Sequence, residues 1–320
     1  MQNAILDNRG GYISPKIIVI GDAILDRYIF GRCERISPEA PVPIMTESSS
    51  EDRGGGAVNV ALNLKAFGCD VTLFGITGDD KDAKILEKLC NSINWVHFQK
   101  IKGISTTLKT RYVCDGQQVL RMDRENVSVN TDILKYFETQ LPHCDYVVIP
   151  DYGKHFSELI PKIITLSRRH EKHVIVDPKS SDWSRYVNSS TITPNIREFR
   201  EAGGVEAVGF EPSGIDVSCH ILRNKFNIDD IHVTKGALGL SLSTPTEFYE
   251  DSTVSSEVVD VTGAGDTVVA AYVTALAFGF TAEERLEFAN EAAGEVCRKL
   301  GTSVVDGDLW KDTASNVAIM

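Results

Sequence analysis

The sequence predicts an α/β fold with a mainly parallel central sheet and a small flanking β lid. Short, continuously apolar, β-branched runs alternate with helical patterns through most of the 320 residues. Such runs separated by helices imply a parallel sheet covered on both faces. Several runs end in an acidic residue: Asp22, Asp151 and Asp177. Ligands of open α/β sheets bind beyond the carboxyl ends of the strands, which is where these acids fall.

In chain order, strands are expected at Lys16–Gly21, Val71–Gly75, Tyr146–Ile149, Val174–Asp177 and Ile231–Thr234. Helices are expected at Gly56–Phe67, Lys81–Asn91, Thr131–Leu141, Ser157–Arg169 and Ile215–Phe226. Two stretches break the alternation. Residues 28–46 carry Pro38, Pro41 and Pro43 in an extended pattern, which suits an edge ribbon and not a central strand. Residues 105–125 read as a hairpin, Thr107–Val113 against Gln118–Arg124, joined near the Asp115-Gly116 turn signal. Together they predict a small sheet beside the main one, either a lid over a cleft or a plain edge hairpin. There is no internal repeat or long linker, so residues 1–320 read as one domain.

Lys and Arg total 33 against 45 Asp and Glu, for a formal charge of −12. No general attraction to nucleic acid or to anionic membranes is expected from this balance. An anionic substrate must be held by local devices: helix N-termini, glycine nests, a few Lys or Arg side chains, or a divalent cation. The seven cysteines are scattered singly, which indicates neither a zinc site nor a disulfide framework. Their odd number, with no leader pattern at the start, points to a reducing cytoplasm. The longest apolar run, Val268 to Phe280, is too short to span a bilayer.

Near the C-terminus the chain reads Val259-Asp-Val-Thr-Gly263-Ala264-Gly265-Asp266-Thr267, followed at once by an apolar stretch. Glycines allow a tight turn, and the first N–H groups of a helix lack partners and favour negative charge. A carboxylate there does not help to bind a phosphate. Asp266 makes better sense as a proton acceptor for an attacking hydroxyl, which suggests phosphoryl transfer. A glycine turn with an Asp capping a buried helix is the purely structural alternative.

A second cluster, Arg53-Gly54-Gly55-Gly56-Ala-Val-Asn59, leads into a helix, so its backbone can approach a ligand closely. It is neither a P-loop nor a dinucleotide fingerprint, and a flexible loop before a core helix would read alike. The third element is Thr193-Pro-Asn195-Ile-Arg-Glu198. Asn at an N-cap with Glu three residues on is a plausible capping box; the functional reading is a carboxylate that organises Mg2+ and its waters near phosphates.

In this order, over about Lys16 to Leu300, the three elements resemble the PfkB or ribokinase family of carbohydrate kinases. The resemblance implies a ribokinase-like three-layer sandwich, with Gly54 and Gly55, and by extension Asn59, near the sugar. It implies Asn195 with Glu198 at magnesium, and Gly263, Ala264 and Gly265 with Asp266 as anion hole and base. Thr234, Gly236 and Gly239 look like the family's segment along ATP, with Asn290 near the adenine and Asp260 near a monovalent cation such as K+. Gly21 to Tyr28, then Arg35-Ile-Ser-Pro-Glu-Ala-Pro-Val-Pro43, look more narrowly like the heptose 7-phosphate kinases of bacterial ADP-heptose synthesis. So do Asp177-Pro-Lys179 and Thr191 to Glu198.

That resemblance implies transfer of phosphate from ATP to the C1 hydroxyl of D-glycero-D-manno-heptose 7-phosphate. Asp22 and Asp26 lie at a strand end, where carboxylates accept hydrogen bonds from sugar hydroxyls, and one of them is expected to cap the turn. The substrate phosphate needs cations, and Arg35, Arg111, Arg121, Lys154 and Lys179 are candidates by type and position. His155 stands where relatives are expected to carry another glycine. Many relatives are fused to a nucleotidyltransferase; the chain ends too early for it, so that activity is expected on another polypeptide. A homodimer is the expected assembly. The competing readings are a PfkB kinase for fructose, ribose or a hexose phosphate, and a non-catalytic sugar or nucleotide sensor.

Overall fold

Alternation along the first strand explains the layering. Ile17 and Val19 of β1 (Lys16–Ile20) join one buried cluster and Ile18 and Ile20 the other, so both faces of the sheet are covered. In the computed structural model, which describes residues 14–127, 131–203, 212–252 and 258–307, the chain next leaves the main sheet. It forms the long pair β2 (Ala23–Ile36) and β3 (Pro43–Gly56), then α1 (Ala57–Ala66), β4 (Asp70–Gly78), α2 (Lys81–Leu89) and β5 (Trp95–Ile101). A second excursion, β6 (Thr107–Cys114) and β7 (Gln117–Arg124), precedes α3 (Ile133–Gln140), β8 (Tyr146–Pro150), α4 (Ile160–Arg169) and β9 (His173–Asp177). Then follow β10 (Thr191–Ile192), α5 (Ile196–Gly203), α6 (Pro212–Phe226), β11 (Asp230–Thr234), β12 (Leu240–Ser243), β13 (Phe248–Asp251), α7 (Ala264–Ala277) and α8 (Ala282–Cys297).

The nine-stranded sheet has the order β13-β12-β11-β10-β9-β8-β1-β4-β5 and is parallel except at β12 and β13. Helices α1, α7 and α8 pack on one face, and α3 to α6 on the other. All five expected strands and all five expected helices are present, with ends shifted by a few residues. The strands missed are the edge strands β5 and β13, β12 beside β13, and the two-residue β10 inside the sheet. In β5 polar and apolar residues mix because one side meets water, and β12 is only a Leu-Ser-Leu-Ser alternation. Among the described residues no helix is long and apolar enough to cross a membrane.

The small sheet runs β3-β2-β6-β7 and is larger than the expected 28–46 and 105–125. Its first pair begins at Ala23 and ends at Gly56, because the glycines Gly54 to Gly56 are strand residues paired with Leu25, Ile24 and Ala23. Pro38 and Pro41 fall in the turn and Pro43 opens β3, so the prolines mark a ribbon's end; β2 itself is an interior strand. The sheet is tied to the body by charge: Arg27 bonds Asp52 and Asp82, and Arg124 bonds Asp82, a buried residue of α2. A further correction concerns cysteine. Cys33 and Cys114 form a disulfide, their Cα atoms 6.0 Å apart. Separated by 81 positions, they meet because β2 and β6 are aligned with Gly31 opposite Cys114.

One buried group is a liability. His232 of β11 is fully buried, neither ring nitrogen has a hydrogen-bond partner among the described residues, and burial pushes its pKa down to about 3. The folded state therefore holds it neutral, while the unfolded chain protonates it below about 6.5. Its contribution to stability is complete above that value and is lost as the pH falls from there toward 3. His232→Leu removes the two unpartnered nitrogens, a change on the order of 1–3 kcal/mol. We expect a rise in Tm of at least ~2 °C at pH 7 and a shallower loss of stability between pH 6.5 and 4. Thermal unfolding across that range checks it, and an unchanged acid slope would count against the assignment.

Candidate active site

The turn before α7 is built for an anion. Gly263 has φ 82° and caps the helix in the left-handed region, where a side chain is strained. Ala264 N–H donates to Val261 O at 3.2 Å and Thr267 N–H to Gly263 O at 3.1 Å. Between them, the N–H groups of Gly265 and Asp266 have no acceptor among the described residues. Two free donors at the positive end of a 14-residue helix form an anion site.

Asp266, in the first turn, is buried and receives two donors. Asn59 Nδ2 donates to its Oδ2 at 2.8 Å, and the Tyr152 hydroxyl donates to its Oδ1. The Asn59 amide is itself oriented. Asn63, one turn along α1, donates to Asn59 Oδ1 at 3.2 Å and to Asn59 O at 3.0 Å. Asn63 Oδ1 accepts from Val305 N–H at 3.1 Å. Burial raises the Asp266 pKa to about 6, the bonds from Tyr152 and Asn59 pull it back, and nearby Asp26 adds to the rise. The result is a carboxylate ionised at neutral pH yet more basic than an ordinary one, which suits a general base.

The strand-end acids divide into braces and free groups. Asp22, following β1, accepts three backbone N–H groups: His155 at 2.8 Å on Oδ1, and Lys154 at 3.1 Å and Tyr152 at 3.3 Å on Oδ2. It is the turn-capping member of the Asp22/Asp26 pair, and burial holds its pKa near 6 despite these donors. The left-handed residue of that turn is Gly153, so His155 fits in place of a glycine: it supplies a backbone donor and needs no positive φ. Asp151 accepts from Gly153 N–H, Ser157 and Tyr186. Among the described residues Asp177 has one side-chain donor, Thr193, and its pKa is pushed well up by burial and by the charges of Asp266, Glu198 and Asp151.

On the small sheet, Asp26 Oδ1 pairs with Arg111 and Oδ2 accepts from Thr302 at 3.0 Å. Gly55 stands against this carboxylate, which a Cβ at that position would overlap; Gly54 is as closely packed on Val58. The other expected cations are paired, exposed or remote. Arg121 pairs with Asp123 at 2.9 Å, Lys154 with Glu125 at 2.5 Å, and the exposed Lys179 lies 3.9 Å from Glu198. Arg35 is exposed nine residues along β2 from Asp26, roughly 30 Å at the rise of an extended strand. The structure does not bring it to this group.

Asn195 and Glu198 form the capping box: Asn195 N–H donates to Glu198 Oε2 at 3.1 Å and Glu198 N–H to Asn195 Oδ1 at 2.9 Å. Glu198 Oε1 is left facing Lys179, and burial raises its pKa. Thr234 bridges to Asn195 at the end of β11; Gly236 and Gly239 follow, both with positive φ. Asn290 donates to Asp251 at 2.7 Å and to Ser252 O at 2.6 Å. Asp260 accepts from Thr262 twice and from Gly301 N–H, bracing two loops. Sequence reasoning missed Tyr152 and Asn63. A pair of asparagines four apart on the apolar helix Ala57–Ala66 was the signal for Asn63, and a position directly after the strand-end Asp151 was the signal for Tyr152.

A helix start with two free N–H donors, a buried carboxylate beside it and a row of strand-end acids make an arrangement suited to phosphoryl transfer. A model of the pfkB family carbohydrate kinases matches residues 14–306, and the chain belongs to that family; it is a sugar kinase with a ribokinase-like fold. Its sequence is similar to that of proteins called "Bifunctional protein HldE". It is 42% identical over 298 residues to the one from Shewanella sp., covering 91% of this chain and 61% of that protein. With the one from Coxiella burnetii it shares 38% over 300 residues, 92% of this chain and 62% of that protein. The chain thus spans about three fifths of the length of these curated relatives. Among solved structures, a putative sugar kinase from Clostridium perfringens superposes with a TM-score of 0.77 at 19% identity, covering 96% of both chains. The Arabidopsis thaliana ribokinase solved with ribose and ATP gives 0.73 at 19%, covering 96% of this chain and all of that one. Escherichia coli phosphofructokinase-2 in complex with potassium gives 0.76 at 18%, with the same coverage.

Proposed function

We propose that the protein transfers the γ-phosphoryl group of ATP to the C1 hydroxyl of D-glycero-D-manno-heptose 7-phosphate, giving the 1,7-bisphosphate, a step toward ADP-heptose for the lipopolysaccharide core. The observation that carries the chemistry is the Asp266 carboxylate, buried beside two free N–H donors and held by Asn59 and Tyr152. The substrate reading rests on the resemblance of Gly21–Tyr28 and Arg35–Pro43 to heptose 7-phosphate kinases, and it is supported by the similarity to the bifunctional relatives. In this reading the second activity of those relatives belongs to the part of them that this chain does not span.

Asp266 accepts the C1 hydroxyl proton as the sugar oxygen bonds to the γ-phosphorus and the bond to ADP breaks. Asn59 keeps the Oδ2 lobe fixed, and the acceptor hydroxyl approaches Oδ1, where the Tyr152 hydroxyl now sits. The N–H groups of Gly265 and Asp266 hold charge on the transferring group. Asp177 and Glu198 offer hard oxygen donors but too few to cage a metal, and no group of three or more such ligands occurs among the described residues. That fits Mg2+, which binds through one or two carboxylates, water and substrate phosphates and would neutralise charge on the latter. Asp260 is the residue for a monovalent cation in this reading.

The test is a substrate panel. The protein is given Mg-ATP with heptose 7-phosphate, fructose 6-phosphate, fructose or ribose, and ADP release and the phosphorus spectrum of the product are followed. We expect the heptose phosphate to give the highest kcat/KM and a new anomeric phosphate signal. Clear turnover of another sugar with none of the heptose phosphate would sink the substrate assignment and spare the kinase.

A further inference from the structure

Strand register gathers four cations on one side of the small sheet. Across β2, β6 and β7, Asp26 aligns with Lys109 and Asp123, and Tyr28 aligns with Arg111 and Arg121. Arg53 lies opposite Asp26 on β3. Paired residues, and residues two apart on a strand, share a face, so Lys109, Arg111, Arg121 and Arg53 stand on the same side as Asp26. That side turns toward the base. The Lys109 ammonium lies 5.4 Å from the centre of the Tyr152 ring, and the hydroxyl of that ring donates to Asp266.

Three of the four cations are committed. Arg111 pairs with Asp26; Arg121 pairs with Asp123 through two bonds, at 2.9 and 3.1 Å. Arg53 bonds Glu51 and the carbonyls of Leu300 and Thr302. Lys109 has neither carboxylate nor carbonyl among the described residues; it is half-buried and rests on an aromatic face. Burial lowers its pKa, Asp26 and Asp123 oppose the shift, and Arg121 and Arg111 add to it. An ammonium desolvated without a counter-ion gains most from an arriving anion.

We propose that Lys109 determines specificity by receiving the phosphate that the acceptor sugar already carries, swinging off the Tyr152 ring to do so. This rests on the reading of a phosphorylated acceptor given above. A lysine suits such a role because its compact charge rides a flexible four-carbon stem, whereas the neighbouring arginines are fixed in forked pairs. It also replaces the five candidates picked from the sequence, each of which is paired, exposed or remote.

Lys109→Met keeps the stem and the ring contact and removes the charge; Lys109→Arg keeps the charge. For wild type and both variants, kcat/KM and the calorimetric Kd without ATP are measured for heptose 7-phosphate and fructose 6-phosphate, each beside its unphosphorylated sugar. The expected result is a fall in the phosphorylated-to-unphosphorylated preference of about 10- to 100-fold in Lys109→Met, the scale of one charge-assisted contact, with part of it restored in Lys109→Arg. A preference unchanged in Lys109→Met, or an equal loss on both members of each pair, overturns the assignment of Lys109. A wild-type protein that prefers unphosphorylated sugars overturns the reading of the acceptor itself, whatever the variants do.

Discussion

Asp266→Asn is expected to fold normally and to lose about 10² to 10⁴ in kcat, because it removes the proton acceptor and little else. The amide has nearly the volume of the carboxylate, and its oxygen still accepts from Asn59 or Tyr152. Burial lifts the Asp266 pKa to about 6, above the unfolded value near 3.9. Folding therefore opposes ionisation: the carboxylate, still mostly ionised at pH 7, subtracts from stability there, and a neutral side chain leaves Tm equal or higher. The same shift predicts the pH profile. A base must be ionised, so wild-type kcat/KM is level above pH 6 and falls about tenfold per unit below it. Asp22 titrates in the same range, and the residual activity of Asp266→Asn separates the two: a surviving acid limb belongs to Asp22. Near-normal turnover in a folded Asp266→Asn would remove the base from the mechanism.

Gly263→Ala carries the second largest effect, a loss in kcat on the order of 10² to 10³, as when an oxyanion donor is displaced. At φ 82° a side chain costs about 1–2 kcal/mol. The new Cβ would also stand 3.0 Å from Asn59 Nδ2, pushing that amide off Asp266. Gly265→Ala is the matched control. Among the described residues its Cβ meets no atom within 4 Å beyond its own helix backbone and chain neighbours, and alanine favours a helix over glycine by about 1 kcal/mol. Its Tm therefore holds or rises, and any loss falls on kcat/KM for ATP, where the methyl group crowds the approach of the anion. Steady-state kinetics with thermal unfolding on both variants distinguishes these outcomes. A fully active Gly263→Ala would reduce the turn to a helix cap.

The main sheet was legible because parallel strands buried on both faces are apolar along their buried length, as at residues 17–20 and 147–150. The extent of the small sheet was not. Glycines at 54–56 read as a loop, yet here they are strand residues that let Asp26 and Val58 come close. Residue type also proved a poor guide to which cation is free. Arg111 and Arg121 look like phosphate ligands until register places Asp26 and Asp123 beside them, and Lys109 passes unnoticed between two neighbouring strands' charges. The Asn195 and Glu198 spacing admitted a capping box or a metal ligand. The structure forms the box with one carboxylate oxygen and leaves the other facing only the exposed Lys179 ammonium at 3.9 Å, so the two readings are compatible.

The asparagine relay gives the segment around Val305 an influence that its distance along the chain hides. A backbone N–H at position 305 sets the amide of Asn63, which sets Asn59, which sets one lobe of Asp266. Trimming, a nick or an awkward fusion near Thr302–Val305 would then behave as an active-site lesion, lowering turnover while most of the fold stays intact. Preparations that differ only in how this stretch is treated should differ in specific activity before they differ in melting temperature.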